Sequence, residues 1–201
     1  MMAHYLLAGG GCRITPRKRM DMSAGTARPV TRHGEAVLHR PCARVESFGP
    51  GLEALVEDMF PSMYAAQGVG LAANQIGAGL RVFVYDCPDD SGENQVGHVV
   101  NPVLARSAFA RPVAGPEGCL SVPGQQAEVA RTSVATVTGT DVHGSPVAVT
   151  GTGLLARCFQ HETDHLRGIV YVDLLPEEER AAVLGAAGLP GRVRRSAARR
   201  G

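Results

Sequence analysis

The amino-acid sequence predicts an α+β protein, and three observations carry that prediction. Two segments, one from Pro50 and one from about residue 153, place apolar residues at the three-four spacing of a buried helix face. A third, from Glu177, opens with the acids that favour a helix N-terminus. The stretches between them read as short strands separated by Gly or Pro, and no repeat of fixed period runs through the chain. The 201 residues suffice for one domain whose core needs no staple. No apolar run approaches the ~18 residues of a membrane span, which marks a soluble chain.

Taken in order, the chain opens on a basic extension. Residues 1–32 carry six basic side chains and one acid, and residues 186–201 carry five Arg and no acid. The remaining 33–185 hold 9 of the 20 basic residues and 18 of the 19 acids, so a formal net charge of +1 conceals an acidic body between basic ends. Residues 1–27 are expected to be a disordered extension. The Arg-rich, nearly acid-free run 13–32 also fits an organellar transit peptide, and Met20 or Met22 is an alternative start. LLAGGGC fits a lipoprotein processing site poorly, because Gly9 stands three before Cys12 where an aliphatic residue belongs.

The first helix begins at Pro50, which suits a first turn, and buries Leu52, Leu55, Val56, Met59, Phe60 and Met63. Pro61 is expected to kink or break it near Phe60. Gly68, Gly70 and Gly77 punctuate the loop that follows, and RVFVYD (81–86) alternates as a strand before an acidic turn. Further strands are expected at 97–101, 118–122, 127–138 and 146–150, then a helix over 153–167. IVYVDLL (169–175) reads as a strand and EEERAAVL as a helix, which Gly188, Pro190 and Gly191 terminate. Cys12, Cys42, Cys87, Cys119 and Cys158 are odd in number with no CxxC pair, which points to a reducing compartment and small buried thiols.

The chemistry lies on the second helix, in FQHETDHLRG. At ~100° per residue, His161 and His165 stand ~40° apart around the axis and one turn apart along it, so both reach one metal ion. Glu162 flanks that ion on one side, placed to take a proton from water. Asp164 flanks it on the other, where a role supporting the ligands is the milder reading. Leu155, Cys158, Phe159 and Leu166 turn the same stripe inward, which argues against a solvated polar face. HExxH suits a zincin endopeptidase, but that enzyme needs a ligand downstream, and no His follows His165. The third ligand is therefore sought upstream.

Upstream stand EGCLS (117–121) and GVGLAANQ (68–75). Together with QHETDHLRG, these blocks resemble the peptide deformylase family over roughly residues 28–185, in the family's order and spacing. The resemblance implies antiparallel strands packed around a central metal-binding helix, and removal of the formyl group from the N-terminal methionine of new proteins. It implies Cys119 as the third ligand beside His161 and His165, around one divalent ion. Fe(II) is typical of the family, with Zn(II) or Ni(II) able to substitute. Gln75 is similar to the family's side-chain donor to the oxygen of the tetrahedral intermediate, with the backbone N–H of Leu120 as its companion. Glu162 is the implied proton acceptor.

Val69 and Gly70 look like the backbone that pairs with substrate as an added strand, where the missing Cβ of Gly70 permits close approach. Gly118, Arg157 and Cys158 complete the implied substrate-binding set. Arg157 departs from an apolar wall, so its stem would face the methionine with the guanidinium at the rim. Glu117 and Arg131 are expected to pair and hold the ligand strand. The implied partners are formyl-methionyl nascent peptides in the bacterial cytoplasm, with organellar import as the alternative, and the ribosome through the Arg-rich tail 186–201. No DNA and no membrane partner is expected, and the chain reads as a monomer. A deformylase-like fold that binds such peptides without turnover is the other alternative.

Overall fold

The second helix sits against one face of a sheet whose other face is covered by the first. The structure, a computed structural model, describes residues 25–106 and 111–191. In chain order the elements are α1 (Pro50–Ala65), β1 (Gly70–Ala72), β2 (Val82–Pro88), β3 (Asn94–Arg106), β4 (Pro112–Cys119), β5 (Val122–Thr132), β6 (Val134–Thr140), β7 (Pro146–Thr152), α2 (Gly153–His165) and α3 (Glu177–Ala186). Short 3-10 turns occupy Ala36–His39, Ala73–Ile76 and Tyr171–Leu174. The readings of the leader, of Cys12 and of the distal Arg-rich tail lie outside the described residues.

Two antiparallel sheets form. One has five strands in the order β1-β2-β3-β6-β7, and β4 and β5 make a separate two-stranded sheet. Alternation along β2 explains the layering. Val82 and Val84 pack with Leu52, Met59 and Phe60 of α1, while Phe83 and Tyr85 pack with Leu155 and Phe159 of α2. A third cluster joins the β4–β5 pair to the C-terminal elements through Val122, Val129, Tyr171 and Leu184.

Pro61 does not break α1, which runs through it to Ala65. Its missing N–H leaves the Glu57 carbonyl without the usual helix partner, and the chain uses the gap. Gly25 lies so close to that carbonyl that a Cβ would stand 1.9 Å from its oxygen. Beside it the Thr26 N–H donates to Asp58 Oδ1 at 2.7 Å, and the Arg28 N–H donates to Ser62 Oγ at 2.8 Å. The described N-terminal segment thus docks along α1 where the proline has freed it.

Three strand expectations change. The run 127–138 divides at Ser133, because β5 pairs with β4 whereas β6 joins β3 and β7 in the other sheet. In-and-out alternation continues through Arg131 and Ser133 and carries no mark of a change of sheet. The run 118–122 is a hairpin: β4 ends at Cys119, β5 begins at Val122, and Leu120 and Ser121 turn the chain. IVYVDLL is not a strand. Asp173 folds its carboxylate back onto the Val170 N–H at 3.0 Å and caps the Tyr171–Leu174 turn, a local bond that competes with extension.

Candidate metal centre

Cys119 comes from the two-stranded sheet and the two histidines from α2, and they meet at one point. α2 buries His161, Glu162 and His165 on the face that its apolar stripe defines. Cys119 arrives from the end of β4, where the register with β5 shifts between Gly118 and Cys119. The Cys119 Sγ lies 3.2 Å from His165 Nε2, which lies 3.2 Å from His161 Nε2. One ligand atom from each residue falls within 4.8 Å of the others. A thiol and two imidazoles converging in this way fit one divalent cation, and suit iron, zinc or nickel alike.

The ring of His161 is oriented from behind. Its Nδ1 donates to Glu117 Oε1 at 2.8 Å, leaving Nε2 for a metal. Glu117 is in turn held by Arg131, with bonds of 2.6 and 2.9 Å to its two oxygens, and by Arg157 Nη1 at 3.1 Å. Burial pushes the Glu117 carboxyl up, but the bonds from Arg131 and His161 outweigh it and hold the group well below the usual carboxylate range. Arg131 also donates to Asp164 Oδ2 at 2.6 Å, so one guanidinium ties Glu117 to Asp164 of α2.

Glu162 is 3% exposed, and its Oε2 has no hydrogen-bond partner among the described residues. Burial raises its carboxyl to about 7, partly opposed by His161. Gln75 sits in the Ala73–Ile76 turn. Its Oε1 accepts from the Ala72 N–H at 2.9 Å, which directs Nε2 toward Ser121 Oγ at 3.3 Å and Cys119 Sγ at 3.6 Å. The N-terminal segment braces both loops: the Thr31 N–H donates to the Gln75 carbonyl at 2.8 Å and the His33 N–H to the Ser121 carbonyl at 2.9 Å.

A cavity of about 1000 Å³ opens over this centre. Val69, Gly70, Gln75, Gly118, Cys119, Leu120, Arg157, Cys158, His161 and Glu162 all line it, and His165 lies beneath at 0% exposure. β1 is an edge strand, and the Val69 carbonyl accepts from the Asp86 N–H of β2 at 2.9 Å. Antiparallel alternation then turns the N–H and C=O of Gly70 to the open edge.

Two details differ from the sequence reading. A Cβ on Gly70 would meet Cys158 Sγ and Glu162 Oε1, each at 2.6 Å, so the glycine lets β1 approach α2. The Arg157 guanidinium is not at the solvent rim; it donates to Glu117, to the Val129 carbonyl at 2.9 Å and to the Val113 carbonyl at 3.2 Å. Sequence reasoning also missed Asn74, whose Nδ2 donates to the His165 carbonyl at 2.7 Å, and the ring of Tyr171 stacked 6.4 Å from that of His161. Asn74 and Ser121 stood inside the quoted motifs, but Tyr171 had no such marker.

Comparison with known proteins agrees with this geometry. The family model described as polypeptide deformylase matches residues 27–181. Peptide deformylase 2 of Streptomyces coelicolor is 59% identical over 151 residues, covering 75% of this chain and 84% of that protein. The peptide deformylase of Mycolicibacterium paratuberculosis is 51% identical, covering 73% and 80%. Among solved structures, the peptide deformylase of Legionella pneumophila superposes with a TM-score of 0.74 at 38% identity, covering 81% of this chain and 94% of its own. That of Synechococcus elongatus, in complex with actinonin, gives 0.73 at 34% identity, covering 83% and 92%.

Proposed function

The chain belongs to the polypeptide deformylase family and is a metallohydrolase that removes the formyl group of peptides, and from that premise we propose which residues carry the reaction. The single observation behind the assignment is the convergence of Cys119, His161 and His165 beneath a cavity that Gln75 and Glu162 also line. Cys119, His161 and His165 hold the ion, with Fe(II) as the native metal and Zn(II) or Ni(II) as competent substitutes. When bound, the ion supplies the Lewis acidity that makes water nucleophilic near neutral pH.

The remaining steps belong to side chains and backbone. The N-terminal formyl-methionine of a nascent peptide lies along the open edge of β1, bonded as an added strand by the N–H and C=O of Gly70, while the Val69 carbonyl stays with Asp86. Its side chain rests among Gly118, Cys158 and the stem of Arg157. Glu162 takes the proton of the attacking water as the oxygen adds to the formyl carbon. Gln75 Nε2 and the Leu120 N–H donate to the oxygen that gains charge, each contributing ~3–4 kcal/mol. Glu162 then delivers its proton to the amine as the C–N bond breaks, releasing formate and a free N-terminus. The apolar neighbourhood that raises the Glu162 carboxyl suits it to both transfers.

In the wider reading the catalytic unit is 28–185, acting as a monomer in the bacterial cytoplasm. The Arg-rich tail supplies charge for ribosomal RNA phosphates near emerging chains. Among the described residues no helix is long and apolar enough to cross a membrane. The deciding assay presents anaerobically prepared, Fe(II)-loaded protein with a short formyl-methionyl peptide and an unblocked longer peptide. Formate release from the first alone is the expected result; internal cleavage, or binding without product, rejects it. Ribosome co-sedimentation unchanged by deleting 189–201 rejects the role of the tail.

A further inference from the structure

The metal ligands are divided between two bodies that share no strand ladder. His161 and His165 belong to α2, whereas Cys119 belongs to the β4–β5 sheet, which among the described residues pairs only within itself. Something must fix the distance between them, and Arg157 is built for that task. It stands one turn before His161 on α2, and its guanidinium reaches both strands of the other body. Nη1 donates to Glu117 Oε2 on β4 at 3.1 Å and to the Val129 carbonyl on β5 at 2.9 Å, and Nη2 donates to the Val113 carbonyl on β4 at 3.2 Å.

The seat for that guanidinium is cut into β4. A Cβ built on Gly115 would lie 2.9 Å from Arg157 Nη2, and Gly115 pairs with Val129, whose carbonyl takes Nη1. A planar fork of five donors fits three acceptors on two strands; an ammonium on a flexible stem does not.

We propose that Arg157 is a positioning residue that clamps the cysteine-bearing hairpin to the histidine-bearing helix and thereby sets how tightly the metal is retained. This rests on Cys119, His161 and His165 being the ligands. Loss of the clamp removes one donor from Glu117 and leaves two strand carbonyls without that partner. Because partners behind the ligands shift metal affinity by ~10–100-fold, release from an unclamped site is expected to be about 10-fold faster or more.

The test uses full-length protein loaded with Co(II), whose thiolate-to-cobalt absorption reports the Cys119 bond. Metal release into excess chelator is followed for wild type, Arg157→Leu, Arg157→Lys, Gly115→Ala and the Arg157→Leu/Gly115→Ala double variant. The expected outcome is release at least 10-fold faster in both Arg157 variants, with the absorption band shifted. Gly115→Ala alone speeds release as well, because its methyl group displaces the guanidinium, yet adds nothing once Arg157 is leucine. Additive effects, or release unchanged in Arg157→Lys and Gly115→Ala, overturn the clamp even if Arg157→Leu fails to fold. A wild-type band that survives Cys119→Ser refutes the ligand set instead, so the two failures are distinguishable.

Discussion

α2 and the β4–β5 hairpin each deliver part of the same centre, yet they are positioned by opposite means. On α2 the separation of His161, Glu162 and His165 follows from the rise and turn of one helix. The Cys119 thiol has no such internal ruler. Its place depends on a register shift after Gly118, on the Ser121 carbonyl accepting from His33, and on two links between the hairpin and α2, Arg157 to Glu117 and Arg131 to Asp164. Helical period places the histidines; polar bridges distant in sequence place the cysteine. Changes at Glu162 should therefore abolish chemistry while sparing assembly, and changes at the bridges should loosen assembly first.

The largest effect belongs to the helix half. Glu162→Gln keeps the shape of α2 and the three ligands but removes the proton acceptor, so kcat should fall ~10²–10⁴-fold while bound metal, measured by elemental analysis, stays at the wild-type level. Turnover above a tenth of wild type would remove Glu162 from the mechanism. The same variant tests the buried carboxyl in the metal-free protein. Its folded-state pKa of about 7 exceeds the ordinary unfolded value, so the folded chain binds the extra proton between about 4.5 and about 7. Stability from this group is present below the unfolded value and is lost as pH rises through about 7. Urea titrations should show metal-free wild type losing stability relative to Glu162→Gln between pH 5 and 8; parallel curves would contradict it.

The strongest bridge comes next. Arg131 is 7% exposed and joins Glu117 on the hairpin to Asp164 on the helix, each through a bond of 2.6 Å. Arg131→Ala leaves the buried Glu117 and the half-buried Asp164 without their shared cation, and removing one member of a buried pair costs about 3–5 kcal/mol. A loss of that size in urea unfolding, with metal released faster, is expected. Unchanged metal retention and turnover would mean that the hairpin is held by other contacts.

The same contrast explains what could be read in advance. The face of α2 was legible because one short run contains its whole geometry, and the apolar stripe through Leu155 and Phe159 marks which way it points. Cys119 was legible only as part of EGCLS beside two other motifs, since a buried thiol alone suggests packing. The partners of Arg157 were not legible at all: two are backbone carbonyls, and any residue at 113 or 129 supplies one. Pro61 misled for a similar reason, because the segment that occupies its freed carbonyl begins at Gly25, far away in sequence. The Ser133 break was hidden because alternation continues while the partner strand changes.

The smallest effect should come from the bridge that does not touch Glu117. Gln160 on α2 accepts from both the N–H and the hydroxyl of Thr132, at 2.9 and 3.0 Å, and its own Nε2 returns a bond to the Thr132 carbonyl at 2.9 Å. Thr132→Val deletes only the hydroxyl bond and preserves both backbone bonds, so Gln160 keeps its orientation. The expected cost is about 1 kcal/mol, read as a shift of ~2–4 °C in the melting temperature. Cobalt release should not change, because Arg131 and Arg157 still hold Glu117 and still span the gap between hairpin and helix. If Thr132→Val released cobalt as fast as an Arg157 variant, the two bodies would have to move as one hinged unit. A bond to Glu117 would then say nothing about which bridge sets the site.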